Sequence, residues 1–355
     1  YDASKIWSSV TAVMIIACPC ALLLSNTFTN GNILRLLSRN KLYLRNAQAI
    51  EDIAEANHVV FDKTGTLTTG AYQDIEYVGN PLNVAIKKKI AALASQSTHP
   101  MSKAVVGRLG RKQGLKVIGF TEKPGKGIEG IVEGDLIAIG SKKFILGSEE
   151  TEEETAVYVS MEEKILGKFI FKNHYRNNIL PLVAKLKKQF PLSVLSGDNA
   201  GEKHFLQNIL GHKADIRFHQ KPDDKLEMIK QLQNEGKKVM MLGDGLNDAG
   251  ALKQANVGIA VSDNCNNFTP ASDAIIEADN LPQLYKFIKL CKINRRVVIA
   301  SFIISIIYNL VGIYFSVQGN LSPMIAAILM PSSSLSILLI TFGVSNFAAW
   351  KMGLK

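Results

Sequence analysis

The apolar and polar positions divide the chain into three uncharged apolar stretches and one long mixed block. The stretches run from Ile6 to Leu24, from Val297 to Val317 and from Ser322 to Phe342. Each is close to the ~20 residues that cross a ~30 Å hydrocarbon core, so three transmembrane helices are predicted. Buried core helices are usually shorter and carry a polar stripe, which these stretches lack. The first stretch contains Cys18, Pro19 and Cys20. Proline lacks a helical N–H donor and clashes with the preceding turn, so the helix is expected to break there. Such a break is tolerated at membrane depth only where protein or a cavity surrounds it, which points the two thiols inward.

The mixed block, between the first and second stretches, alternates strand-like and helix-like patterns. In "NHVVFDKTGTLTTG" a strand, His58 to Phe61, delivers Asp62 at its C-terminal end. "PLSVLSGDN" gives a second strand ending in Ser196, Gly197 and Asp198, and "QKPDDKLEMIKQL" puts Lys225 at the start of an amphipathic helix. In "KKVMMLGDGLNDAGAL" a strand over 238–242 is followed by Asp244 and Asp248 on a glycine-rich turn. This alternation predicts a parallel, doubly wound α/β sheet. Ligands bind at the C-terminal ends of strands in such sheets. Between Gly70 and Phe171 lies an insert with its own pattern, containing "SQSTHPMSKAV" and "EKPGKGIEGIVEGD".

Composition changes this picture in two ways. The 355 residues allow two to three domains. The excess of 41 Lys+Arg over 31 Asp+Glu raises the question of nucleic acid. Aromatic residues are not interleaved with the basic ones as single-strand binders require, so no nucleic-acid partner is expected. The basic residues instead flank the apolar stretches: Arg35, Arg39, Lys41 and Arg45 after the first, Lys286, Lys289, Lys292, Arg295 and Arg296 before the second, Lys351 and Lys355 after the third. The loop "SVQGNLS" is uncharged. The positive-inside rule therefore places residues 28–296 and the C-terminus in the cytoplasm. Cys265 and Cys291 have neither metal-type nor disulfide-framework spacing and are expected as buried thiols. The start, "YDASKIW", has no initiating Met and no signal-peptide pattern, and is expected to continue a longer protein.

The polar residues at the strand ends suit phosphoryl transfer. Asp62 is the candidate nucleophile, becoming an aspartyl phosphate. Asp244, supported by Asp248, would hold Mg²⁺ beside it, since Mg²⁺ prefers one or two carboxylates plus phosphate oxygens. Lys225 and the Ser196 hydroxyl would neutralise and hydrogen-bond the transferring group.

"DKTGTLT", "SGD", "KPDDK" and "GDGLND" resemble, in order, the motifs of P-type ATPases, a branch of the haloacid dehalogenase-like superfamily. With "CPC" in the preceding span, the chain is similar to heavy-metal P-type ATPases over nearly its whole length, and within them to the copper(I) type. The resemblance implies a membrane helix with CPC (1–27), a basic connector (28–49), a Rossmann-type phosphorylation domain (50–70 and 172–290), an inserted α+β nucleotide-binding domain (71–171), two further membrane helices (291–345) and a cytoplasmic tail (346–355). It adds Thr64, Gly197 and Asp198 to the catalytic set and Thr64 to the Mg²⁺ site. It implies that His99 and Pro100 orient adenine and that Gly125 and Gly127 let the backbone approach the nucleotide. Thr98 and Ala94 stand where the family has glutamates, and Ser196 replaces a threonine.

Hydrolases of the superfamily carry an acid two residues after the nucleophile, where this chain has Thr64. Without that acid an aspartyl phosphate persists, which suits a pump and not a phosphatase. For the cargo, Cys18 and Cys20 would act as thiolates, and Tyr308, Asn309, Met330, Ser333 and Ser334 match the copper-type positions. Soft sulfur ligands favour Cu⁺ and Ag⁺, and the last two spans lack the costly intramembrane acid of divalent-metal exporters. A Zn²⁺/Cd²⁺ pump, a membrane-anchored phosphatase and a non-catalytic remnant are the alternatives. The resemblance further implies ATP as cofactor, a cytoplasmic copper chaperone as partner, a bacterial inner or plasma membrane as location, and dependence on an actuator domain and earlier helices absent from this sequence. "LLSNTFTNGNILRLL" departs from the family's Gly-Leu-Ala-Thr-Pro, Asn173 replaces an Asp while Arg176 keeps the next basic position, and residues 262–272 are longer and more polar than the usual strand-end loop.

Overall fold

A computed structural model describes residues 3–18, 20–69, 74–110, 115–147, 155–172, 174–211, 214–245, 247–263 and 271–354. Helices α1 (Ala3–Ile16) and α2 (Cys20–Arg39) are followed by β1 (Leu42–Leu44), α3 (Gln48–Glu55) and β2 (His58–Asp62). After a π-helical turn, Lys63–Leu67, come β3 (Asp74–Gly79), α4 (Val84–Ala94), α5 (Pro100–Leu109), β4 (Val117–Lys123), β5 (Gly127–Val132) and β6 (Asp135–Gly140). Next are α6 (Lys142–Leu146), β7 (Ala156–Met161), β8 (Lys164–Lys172), α7 (Ile179–Leu186), β9 (Leu192–Leu195), α8 (Lys203–Leu210) and β10 (Asp215–Arg217). The chain closes with α9 (Pro222–Asn234), β11 (Val239–Gly243), α10 (Ala249–Gln254), β12 (Val257–Ser262), β13 (Ala274–Glu277), α11 (Leu284–Val317) and α12 (Pro323–Lys351).

Two sheets result. One has the order β1-β13-β12-β11-β2-β9-β10, with β9–β10, β11–β12 and β12–β13 parallel and β1 antiparallel on β13. Every residue of β2, β9 and β11 is buried, as expected for central strands covered on both faces. The other sheet, β3-β8-β7-β6-β5-β4, is antiparallel throughout and has its own core of Leu93, Val105, Ile137, Val159 and Phe169. The chain divides into two compact units, Tyr1–Val59, Lys188–Phe190 and Leu226–Lys355 forming one, Val60–Lys187 and Pro191–Lys225 the other.

In the first unit, the expected span from Ile6 to Leu24 is two helices, separated at 17–19 where Pro19 stands. Residues 28–39, expected in a connector, instead continue α2. Among the described residues, α11 and α12 are the helices long and apolar enough to cross a membrane. Both extend past the boundaries expected from hydropathy, α11 starting at Leu284 and α12 ending at Lys351. Residues such as Ile307, Leu310, Leu335 and Leu339 face outward from them. Ala12, Ile16 and Ala326 are buried together where α1 packs on this pair. A Cβ at Gly312 would lie 2.8 Å from Ile16, so only glycine permits this approach. Midway along α2, Asn294 of α11 donates to Asn30 at 2.7 Å in a buried position. Glu55 of α3 pairs with Arg295 of α11 (2.7 Å) and with Lys238.

Candidate active site

Asp62 ends β2 and is 3% exposed. Lys225 enters the same site from the first turn of α9, where Pro222 fits the position whose N–H needs no partner and Asp224 caps the Lys221 N–H at 2.9 Å. Its Nζ lies 2.6 Å from Asp62 Oδ1, and both side chains are buried. An ion pair out of water persists only where geometry and further hydrogen bonds offset desolvation.

The turn after Asp62 is shaped by backbone demands. Gly65 has φ +79°, the left-handed region that favours glycine. Arg176 clamps the turn, donating from Nη2 to the Gly65 carbonyl (2.8 Å) and from Nε to that of Thr66 (3.1 Å). Lys63, quoted in the motif but given no role by the sequence, is 1% exposed and pairs with Asp198 (2.7 Å) and Glu202 (3.0 Å). Tyr175 donates to the same Glu202 oxygen at 3.2 Å. Glu202 and Tyr175 carry no motif signal, since a lone acid in "NAGEKHF" reads as a solvated charge.

Asp198 therefore faces inward. Thr64 donates to its Oδ2 at 3.0 Å, and the Ser196 Oγ accepts from its backbone N–H at 3.0 Å. Partial burial pushes the Asp198 carboxyl up, but Lys63, Thr64 and Ser196 together outweigh it and hold the group below its ordinary range. Burial and the Glu202 charge push the Tyr175 phenol up and keep it a donor. Ser196 is fully buried and spends its hydroxyl on Asp198. A Cβ at Gly197 would meet only the Gln220 carbonyl at 3.5 Å, so space does not dictate glycine there.

In the other unit, Asp244 follows β11 and accepts from the Asn247 N–H at 3.3 Å. Asp248, 1% exposed, opens α10 and folds back over the strand end, where a Cβ on Gly243 would lie 2.7 Å from its Oδ2. Among the described residues no cluster of three or more His, Cys, Asp or Glu is arranged to hold a metal. Asp244 and Asp248 supply the hard oxygen donors that Mg²⁺ accepts, the rest of its shell being substrate oxygens and water.

A cavity of about 730 Å³ opens within the second unit, reaching from His99 and the 125–127 loop to Asp198 and Asn199. His99 caps α5, its Nδ1 accepting from the Met101 N–H at 3.3 Å, and Pro100 opens that helix. Gly125 has φ +71°. At Gly127, which lines the cavity, a Cβ would lie 2.4 Å from the Ile139 carbonyl, so the closeness of β6 by itself requires glycine. Ala94 is fully buried in the core of the antiparallel sheet.

A model for haloacid dehalogenase-like hydrolases matches residues 56–256. The chain belongs to the haloacid dehalogenase-like hydrolases. As a member of that family it lacks the acid two residues beyond Asp62: Thr64 instead donates to Asp198. The similarity extends well past the hydrolase block. The chain is 29% identical over 346 residues to a probable copper-importing P-type ATPase of Enterococcus hirae, covering 92% of this chain and 47% of that protein. It is 29% identical over 324 residues to a cadmium/zinc-transporting ATPase of Arabidopsis thaliana, covering 85% and 34%. The structure of a zinc-transporting PIB-type ATPase in its E2.Pi state shares the fold, with TM-score 0.75 and 22% identity over 93% of this chain and 56% of that one. The chain spans about half the length of the curated relatives it matches. The resemblance to heavy-metal P-type ATPases thus holds across nearly the whole hydrolase chain.

The cargo residues lie on three elements. Cys18 stands between α1 and α2 and is disulfide-bonded. Cys20 opens α2, but its side chain and the whole of Pro19 lie outside the described residues, as do Asn173 and Cys265. Cys291 is buried and free. Tyr308 of α11 donates to the Leu329 carbonyl of α12 at 3.1 Å, next to Met330. Ser333 and Ser334 both donate to the Met330 carbonyl, at 2.8 and 3.2 Å. Asn309 is half-buried on α11.

Proposed function

We propose that this chain supplies the ATP-binding and phosphorylation machinery, and part of the ion path, of an ATP-driven heavy-metal transporter whose cargo is Cu⁺, with Ag⁺ as an analogue. The observation that carries the reading is the buried Lys225–Asp62 pair, 2.6 Å apart at a strand end, with Thr64 in place of the acid a phosphatase would use.

In this reading Asp62 attacks the γ-phosphorus of ATP. Lys225 leaves its pairing with the carboxylate to neutralise the transferred oxygens, and ADP departs. Asp62, Thr64, Asp244 and Asp248 are the residues that would hold Mg²⁺, which would supply charge neutralisation on the phosphate oxygens. Thr64 cannot activate water, so the acyl phosphate waits for a water positioned from elsewhere in the protein. His99, Pro100, Gly125 and Gly127 line or flank the cavity assigned to ATP, whose volume lies in the usual range for ligand pockets.

For the cargo, Cys18 and Cys20 ligate as reduced thiolates, with Tyr308, Asn309, Met330 and Ser334 lining the path. Soft donors without an intramembrane carboxylate favour a monovalent ion. The similarity to a cadmium/zinc-transporting relative keeps Zn²⁺ and Cd²⁺ as the competing cargo. The flanking lysines and arginines support cytoplasmic catalytic domains on a bacterial plasma membrane, where a soluble copper chaperone would deliver the ion.

The test is metal-dependent ATP turnover of the full-length protein in lipid under reducing conditions. Cu⁺ and Ag⁺ are expected to stimulate it and Cys18→Ser to abolish the stimulation. Stimulation by Zn²⁺ or Cd²⁺ alone would retain the pump and overturn the cargo.

A further inference from the structure

The cavity assigned to ATP contains a feature that no motif marks. Among the described residues two carboxylates line it, Asp198 and Glu122. Asp198 is committed to Lys63 and Thr64. Glu122, from β4, is held at one oxygen only: the buried Ser97 hydroxyl donates to Oε1 at 2.7 Å. The Ser97 Oγ in turn accepts from the His99 backbone N–H at 3.1 Å. One hydroxyl therefore ties Glu122 to the residue that caps α5 at the cavity edge. In the sheet, Glu122 lies directly opposite Ile128 of β5. Directly opposed residues share a face, and both line the cavity, so the carboxylate sits beside an apolar wall that continues through Val105 and Ile139.

An apolar slot with a fixed carboxylate at its side suits a planar base with an exocyclic amino group. An ionised carboxylate only accepts hydrogen bonds. Because Ser97 occupies Oε1 as donor, the second oxygen keeps its acceptor role without competing for that proton. The His99 Nδ1 already accepts from the Met101 N–H, so that nitrogen is taken.

Resting on the ATP reading above, we propose that Glu122, positioned by Ser97, is the specificity-determining residue that accepts a hydrogen bond from the 6-amino group of adenine. Hydrogen bonds to charged groups in folded proteins correspond to roughly ten- to a hundredfold in affinity.

The test compares equilibrium binding of ATP and purine riboside triphosphate, which lacks only the 6-amino group, to the full chain in detergent. The wild-type chain is expected to bind ATP about tenfold or more tightly than the analogue. Glu122→Ala should weaken ATP to the level of the analogue and leave the analogue unchanged. Glu122→Gln, a neutral acceptor of the same size, should give an intermediate ratio and stands in should the alanine variant misfold. Ser97→Ala should lower the ratio by freeing the carboxylate. An unchanged ratio in the Glu122 variants, or equal weakening of both nucleotides, overturns the assignment while leaving ATP binding intact. Failure of the wild-type chain to bind either nucleotide overturns the nucleotide reading and this one together.

Discussion

Lys225 and Asp62 each hold the other's charge in a buried place, so removing one partner strands the other. Lys225→Ala should cost about 3–5 kcal/mol of stability, measured by denaturant unfolding of the detergent-solubilised protein. Lys225→Met with Asp62→Asn, which removes both charges, should recover most of that loss while abolishing activity. Asp198 makes a second prediction, on pH. Its folded pKa lies below its unfolded value, so its stabilisation is present above the unfolded pKa of about 4 and is lost as pH falls through the folded value. Asp198→Asn should therefore be less stable at neutral pH and lose less on acidification, as read from thermal midpoints between pH 3 and 7. At this scale the sequence exposed Asp62, Lys225, Asp244 and Asp248, because each occurs at a strand or helix end in a spaced motif. Glu202, Tyr175 and Glu122 were hidden, because their partners lie far along the chain and pairing is visible only in three dimensions.

Among elements, the break between α1 and α2 and the two long apolar helices α11 and α12 followed from the pattern of apolar residues, and the alternation of strand and helix patterns gave the α/β sheet. Hydropathy underestimated lengths. α2 runs on through the polar "SNTFTNGN" segment because Asn30 is satisfied by Asn294 of α11. α11 begins inside the basic flank because Leu284, Phe287 and Ile288 are buried there. The glycine at 127, expected beside a nucleotide, lines the cavity and also lies so close to β6 that a Cβ would not fit. Gly312 shows the same logic in α11, where Ile16 of α1 lies against it. Gly312→Ala should push α11 from Ile16 and cost about 1–3 kcal/mol, read as a lowered thermal midpoint in detergent. Ile16→Ala in the same chain should recover part of it, since the clash lies between those two side chains.

For the molecule as a whole, a chain of the haloacid dehalogenase-like hydrolases carries two helices long and apolar enough to cross a membrane and is similar to about half the length of heavy-metal P-type ATPases. The pump reading depends on one property that a phosphatase does not share, an aspartyl phosphate that survives until something else hydrolyses it. The most direct measurement is phosphoenzyme formation from γ-labelled ATP in the full-length protein, with Asp62→Asn as control. The account predicts an acid-stable, hydroxylamine-sensitive label that needs Asp62. Rapid release of phosphate from small phosphomonoesters with no trapped label, in a protein shown to bind ATP, would contradict it.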